Sequence, residues 1–348
     1  MRVLKLTGLR RMQLLDAPQP ALTSPMDVLI RVACVGVCGS DVHYYTTGRI
    51  GSQVVQYPFA VGHEFAGTIE AVGAEVRNVR PGDRVAVDPA MPCCACDQCL
   101  SGRRHTCRNL RFLGCPGQIE GCLCDFLVMP AATCIRLPDT CTMEQGALVE
   151  PLSIGAYAAR LAGNLRGKRI AILGCGPIGL SVLLAARRAG TARIYVSEPI
   201  AARCAFARQC GAVWGGAPSG DLVAAILRRE PLAMDAVFEC CGRQAALDQA
   251  VELLKPGGRL MLIGIPEVDR VSFSIDLLRR REIDIQNVRR QNECVEAGIE
   301  LVKVFPNLTA GMVTHRFPAE QTQDAFDLVA ACEDGVVKAM VQFDPDRV

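Results

Sequence analysis

The chain has 348 residues, of which 50% are hydrophobic and 21% charged, with a formal net charge of +2. That length allows two domains with sizeable cores, and the charge balance gives no electrostatic case for nucleic acid or an anionic membrane as partner. Nineteen cysteines are an odd number, and Met1 to Leu6 lack the apolar core of an export signal, so reduced thiols and a cytoplasmic location are expected rather than a disulfide framework.

Residues 1 to 150 read as a compact, mostly β module of short strands separated by Gly and Pro turns. Val28–Val32 and Val85–Val87 are strand-like, with Arg80-Pro81-Gly82-Asp83 as a turn. Cys38 precedes Val61-Gly62-His63-Glu64-Phe65-Ala66-Gly67. A thiolate, an imidazole and a carboxylate are three different donors that all suit zinc, and a mixed set with an open position is the catalytic pattern. Cys38 lies 25 residues before His63, so only a folded domain brings them together. The alternative is a core cysteine and a satisfied buried histidine. Gly62, Gly67 and Gly73 are expected to allow sharp bends where the side chains converge.

Within the same module Cys93, Cys96, Cys99 and Cys107 are spaced for a closed tetrahedral zinc site on a polar loop. Cys94 is left over. A redox cluster and a nucleic-acid zinc ribbon are the rivals; Arg103, Arg104, Arg108 and Arg111 would favour the ribbon, but in a near-neutral chain such residues more often offset thiolate charge. Glu150 then falls inside a helical run from Glu144 to Ala162. An apolar setting for a carboxylate calls for a partner, which a metal, a metal-bound water or a neighbouring Arg could supply.

From Arg169 the texture changes to alternating strands and helices. Arg169–Leu173 is a continuous apolar strand, followed at once by Gly174-Cys175-Gly176-Pro177-Ile178-Gly179 and a helix from about Leu180 to Ala189. Between strand and helix, G-x-G-x-x-G gives a tight turn, a close backbone approach to pyrophosphate, and N–H groups at the helix start. The next strand, Arg193–Ser197, ends at Glu198, whose carboxylate can accept ribose hydroxyls and would repel a 2′-phosphate. NAD is therefore expected over NADP, with Arg203 as the residue that could accommodate phosphate. A helix at Leu222–Arg229, a strand at Ala236–Glu239, a helix at Gln244–Leu254, a turn at Lys255–Gly258 and a strand at Arg259–Ile263 continue the βαβ rhythm of a doubly wound domain. Ile170–Ala186 is the most membrane-like stretch, but it holds three glycines and a proline, so no span is expected. The residues from Arg289 hold helices at Cys294–Val304 and Thr322–Cys332 and the segment Val313–Phe317, and are expected to return to the first module, with His315 structural. Taken together, the motifs point to a zinc ion that activates an alcohol beside a dinucleotide.

These residues resemble the zinc-dependent medium-chain dehydrogenases, most of all their sorbitol (polyol, xylitol) dehydrogenase branch. Cys38 to Tyr44, Gly48 to Gly51, Gly62 to Glu64, the four-cysteine loop, Gly146 to Ser153 and Gly174 to Gly179 match in order. The resemblance implies an α/β protein with a GroES-like, mostly β catalytic domain (1–151 and 289–348) and a Rossmann NAD-binding domain (152–288). By it Cys38, His63 and Glu64 are catalytic-zinc ligands and Glu150 is the fourth position, bound directly or through water and able to touch substrate. Ser40 and His43 form a proton relay, and Asp41 steadies a zinc ligand. Tyr44 and Arg290 fall on substrate contacts; Gly174, Gly176, Pro177, Ile178, Gly179, Glu198, Arg203 and Ile263 fall on coenzyme contacts. It implies NAD-dependent oxidation of a polyol to a ketose, two zinc ions per subunit, and a homotetramer or dimer. Two departures bear on substrate. Arg289-Arg290-Gln291 stands where animal sorbitol enzymes have Phe-Arg-Tyr, and those enzymes lack the four-cysteine loop. L-Threonine and other secondary alcohols are the rival substrates, and a non-catalytic NAD-binding protein is the rival class.

Overall fold

A computed structural model describes residues 1–343 and divides them into two compact units, Met1–Glu150 with the residues from Gly298 onward, and Pro151–Ala297. After an N-terminal hairpin (Arg2–Gly8 with Arg11–Asp16), the chain lays down β1 (Asp27–Gly36), α1 (Gly39–Thr47), β2 (Glu64–Val72), β3 (Arg84–Val87), β4 (Phe126–Pro130), β5 (Cys134–Arg136) and α2 (Met143–Leu161). Val28, Ile30, Val32 and Val35 are all buried, so β1 reads as a continuous apolar run with few exposed breaks. Each such side chain contributes about 1.5–3 kcal/mol by leaving water.

The second unit follows with β6 (Arg169–Leu173), α3 (Pro177–Arg188), β7 (Arg193–Ser197), α4 (Ala201–Gln209), β8 (Trp214–Gly216), α5 (Leu222–Arg229), β9 (Met234–Glu239), α6 (Gln244–Leu253), β10 (Leu254–Leu262), α7 (Ile275–Arg281) and β11 (Asp284–Asn287). Its sheet runs β8-β7-β6-β9-β10-β11, every neighbouring pair parallel. Strand order reverses beside β6, the position where this class of sheet receives ligands. Two details differ from the sequence reading. α3 starts at Pro177 rather than near Leu180, because Gly176 caps it and proline occupies its first turn, where the missing N–H costs nothing. Lys255–Gly258 turns without ending a strand: Met234 pairs Leu254 and Ala236 pairs Arg259, so the turn is looped out of β10.

α8 (Val295–Val304) and α9 (Pro306–Met312) lead back to β12 (Val313–Pro318), α10 (Thr322–Ala331) and β13 (Lys338–Gln342). The first unit's main sheet then has the order β5-β3-β2-β1-β13-β12, with β4 also on β1. α10 packs Phe326 on Tyr45 of α1, ring centroids 5.3 Å apart. Among the described residues, no helix is long and apolar enough to cross a membrane.

Candidate functional site

Register explains how residues 25 apart in sequence meet. β1 and β2 pair antiparallel from Val28↔Val72 to Gly36↔Glu64, so the exit of β1 (Val37, Cys38) and the entry to β2 (His63, Glu64) lie at one end of the sheet. Gly62, at φ 99°, makes the bend into β2. Gly67 does not bend the chain as expected from sequence. It sits inside β2, where a Cβ would come within 2.4 Å of the Arg31 carbonyl oxygen, so its need is close strand approach.

At that sheet end one ligand atom each from Cys38, His63 and Glu64 lies within 4.8 Å of the others. His63 and Glu64 are buried. Asp41 of α1, fully buried, places Oδ1 3.4 Å from His63 Nδ1 and also accepts the Gly62 N–H at 3.3 Å. One ring nitrogen is thus committed to a carboxylate, the arrangement that fixes the tautomer of a metal-binding histidine. Burial opposes a charge on His63, but Asp41 and Cys38 outweigh it and hold its pKa well above the usual value. Ser40 donates from Oγ to Cys38 Sγ at 3.3 Å.

Glu150, on α2, is 7% exposed. Burial, with Glu64 and Asp88 adding and His63 and Lys338 opposing, pushes its carboxyl up to about 7. Its Oε2 has no hydrogen-bond partner among the described residues. Of the partners expected for it, a metal, a metal-bound water or an arginine, no arginine reaches that oxygen among the described residues. Glu150 stands outside the group formed by Cys38, His63 and Glu64. Tyr44 is 5% exposed and donates its OH to Gln53 Oε1 at 3.1 Å.

One neighbour escaped the sequence reading altogether. Lys338 of β13 is 1% exposed and puts Nζ 2.6 Å from Glu64 Oε2. Burial alone would lower its pKa, but Glu64 and Cys38 raise it and keep it charged. No local motif marks Lys338, because strand pairing alone brings it to Glu64.

Two features fit this cluster to a zinc ion. Sulfur, nitrogen and oxygen donors converge at one place, and the buried carboxyl of Glu150, which interacts electrostatically with His63 and Glu64, has an oxygen without a hydrogen-bond partner among the described residues.

The four-cysteine loop folds separately. Cys93, Cys96, Cys99 and Cys107 bring their sulfurs within 4.8 Å of one another, with Cys96 3.6 Å from Cys99 and 3.8 Å from Cys107. Zn–S bonds of about 2.3 Å in a tetrahedron separate the sulfurs by roughly 3.8 Å, so the cluster has the dimensions of a closed site. N–H groups of Ala95 and Cys96 bring the Cys93 thiol down to about 6. The surplus Cys94 is exposed with φ 55°, turned out of the cluster. Arg108, expected to help offset the thiolates, interacts electrostatically with Cys96 and also pairs with Asp97 at 2.5 Å.

In the second unit, Gly174 has φ 89° at the turn after β6, and a Cβ on Gly179 would stand 2.0 Å from Gly174 O. At Gly176 the nearest atom to such a Cβ is Arg203 Nη1, 3.6 Å away, leaving backbone open to approach. Pro177, Ile178 and Gly179 form the first turn of α3. Glu198, 4% exposed, accepts the Cys175 N–H at 2.7 Å and the Ile200 N–H at 3.0 Å. Ile263 follows β10 and donates its N–H to Glu239 O at 2.9 Å. Arg290 has φ 53° beside the buried Gln291.

Comparison with known proteins gives the same pairing of units. Residues 24–139 match the alcohol dehydrogenase GroES-like domain and residues 177–304 the zinc-binding dehydrogenase domain. The chain is 35% identical over 317 residues to the sorbitol dehydrogenase of Bacillus subtilis (strain 168), covering 90% of each chain. It is 35% identical over 350 residues to that of Homo sapiens, covering 96% of this chain and 93% of the other. A crystal structure of an Escherichia coli oxidoreductase/dehydrogenase of unknown specificity superposes with a TM-score of 0.90 at 32% identity, over 99% of both chains.

Proposed function

The chain belongs to the zinc-dependent medium-chain dehydrogenases, a GroES-like domain joined to a Rossmann domain, and on that premise we propose that it oxidises a secondary hydroxyl of a polyol to the ketone, with NAD as hydride acceptor. The observation that carries this reading is the convergence of Cys38, His63 and Glu64, with a partnerless oxygen on Glu150, whose carboxyl interacts electrostatically with His63 and Glu64. Those three residues would hold a catalytic zinc. Glu150, outside their group, would reach it through water. Bound there, zinc supplies a Lewis acid that makes an alcohol proton easier to lose, each pKa unit being worth about 1.4 kcal/mol.

The chain's own residues do the rest. Asp41 orients His63. Ser40, already hydrogen-bonded beside Cys38, takes the alcohol proton and passes it to His43. The hydride leaves the carbinol carbon for the nicotinamide, giving NADH and the ketose. The turn Gly174–Gly179 and the N-terminus of α3 receive the pyrophosphate, while Glu198 takes the ribose hydroxyls with the lone pairs its backbone contacts leave free. Tyr44 and Arg290 are assigned to substrate; Tyr44 would act through Gln53 or after moving from it. A second zinc in the four-cysteine loop, with no vacancy for substrate, would be structural.

The unit carrying β11 also supports self-association. This strand is the edge of the sheet among the described residues. A sheet edge can take up a strand from a second copy, so a homotetramer or dimer is expected by light scattering; a monomer mass would contradict it.

Initial rates with sorbitol, xylitol, L-iditol, galactitol, the arabinitols, L-threonine and simple secondary alcohols, each with NAD⁺ and NADP⁺, test the reading. It predicts kcat/KM highest for a polyol with NAD⁺. Preference for threonine would move the substrate class, and coenzyme binding without turnover of any alcohol would refute the enzyme reading.

A further inference from the structure

Lys338 has no part in the chemistry proposed above, yet its position is tightly specified. Enclosing an ammonium group costs several kcal/mol, and the cost is met only by close charge and hydrogen-bond partners. Lys338 has two: Glu64 Oε2 at 2.6 Å and the Val37 carbonyl oxygen at 3.1 Å. Its side chain is 1% and that of Glu64 2% exposed.

Three strands build this contact. Glu64 opens β2 opposite Gly36 at the end of β1, and Met340 of β13 pairs with the same Gly36. The lysine therefore reaches the carboxylate past the central glycine. A Cβ on Gly36 would lie 2.5 Å from Glu64 Oε2 and 3.4 Å from Lys338 Cδ. Gly36 has no positive φ, so the constraint there is space for the ion pair rather than backbone conformation.

A carboxylate can bind a metal through one oxygen or through both. When both bind, Glu64 contributes two bonds, so that with Cys38 and His63 four protein donors surround the ion and water or substrate enters only as a fifth ligand. We propose that Lys338 is a positioning residue that holds Glu64 Oε2 and so presents this carboxylate to the ion through Oε1 alone, keeping a coordination position open. The proposal rests on the zinc reading above and adds to it the reason that three donors do not become four. The competing view makes Lys338 a pin between β13 and β1 through Val37, without influence on the metal.

The two views part on Lys338→Met, read in protein carrying zinc in the four-cysteine loop and cobalt(II) at the other site. Four-coordinate cobalt(II) absorbs more strongly in its d–d bands than the five-coordinate ion. Lys338→Met is expected to keep its cobalt, to show a weakened band, and to lose about 10–100-fold in kcat. Gly36→Ala crowds the same oxygen with the lysine retained; it should weaken the band likewise and serves if Lys338→Met fails to fold. A folded Lys338→Met protein with the wild-type band and kcat overturns the proposal and leaves the zinc reading standing. A wild-type protein without a cobalt band that His63→Ala removes overturns the zinc reading, and the proposal with it.

Discussion

Glu198 shows how much one side chain is asked to do. Both its oxygens accept backbone N–H groups, from Cys175 in the glycine-rich turn and from Ile200 at the start of α4, so the carboxylate is fixed by the chain itself. A hydrogen bond to a charged group contributes about 1.5–3 kcal/mol. Glu198→Ala is therefore expected to raise the KM for NAD⁺ about tenfold or more and to erode the preference over NADP⁺; unchanged selectivity in steady-state kinetics would refute the assignment. The place of Glu198 at the end of a strand was legible because strand, turn and carboxylate follow one another in sequence. Asp41 came from the resemblance, and the structure gives its physical reason in the contact with His63 Nδ1. Lys338 was not legible, since 274 residues separate it from Glu64 and nothing local marks a lysine that will be enclosed.

At the scale of elements, the starts of three parallel strands are tied by one carboxylate. Asp235 of β9 accepts the Arg169 N–H of β6 at 2.9 Å and pairs with Lys255 of β10 at 2.6 Å. Burial would raise its pKa, but Lys255 and Arg169 reverse that and hold it down to about 2, below the unfolded value of about 3.9. A depressed folded pKa means stabilisation that is present above about pH 4 and lost as pH falls toward about 2. After solvent screening the tie is worth about 1 kcal/mol, so Asp235→Asn should lower Tm at neutral pH by about 2–4 °C and flatten the acid limb. Thermal melts parallel to wild type from pH 5 to pH 2 would contradict this.

The four-cysteine loop is the other element with its own prediction. Cys99→Ser is expected to remove one zinc equivalent and to lower Tm or loosen assembly, with kcat per folded subunit within a few-fold of wild type. A variant that keeps its Tm and assembly with that zinc gone would contradict a structural role. Both the loop and β6–α3 were readable because their residues are neighbours in sequence. β8 and β11 were not singled out: Trp214-Gly215-Gly216 and Asp284–Asn287 are short and poor in apolar residues, and they are strands only because the sheet beside them offers hydrogen bonds.

The molecule has a β unit holding Cys38, His63, Glu64 and the four-cysteine loop and a parallel-sheet unit holding the Gly174–Gly179 turn. The βαβ rhythm foretold the second, whose strand order follows from right-handed crossovers. The first was legible in its motifs and in the return of its C-terminal residues, but not in its strand order, in which β13 lies against β1 and β12 against β13. The claim on which the functional account depends is that an ion held by Cys38, His63 and Glu64 is required for oxidation of the alcohol. Zinc content and polyol-oxidation rate, measured together on wild type and His63→Ala, test it most directly. The account predicts a folded variant that still binds NADH, carries one zinc fewer per subunit, and has lost about 10³-fold or more in turnover, the several kcal/mol that Lewis-acid assistance supplies; His63→Ala oxidising polyol at near-wild-type rate without that zinc would contradict it.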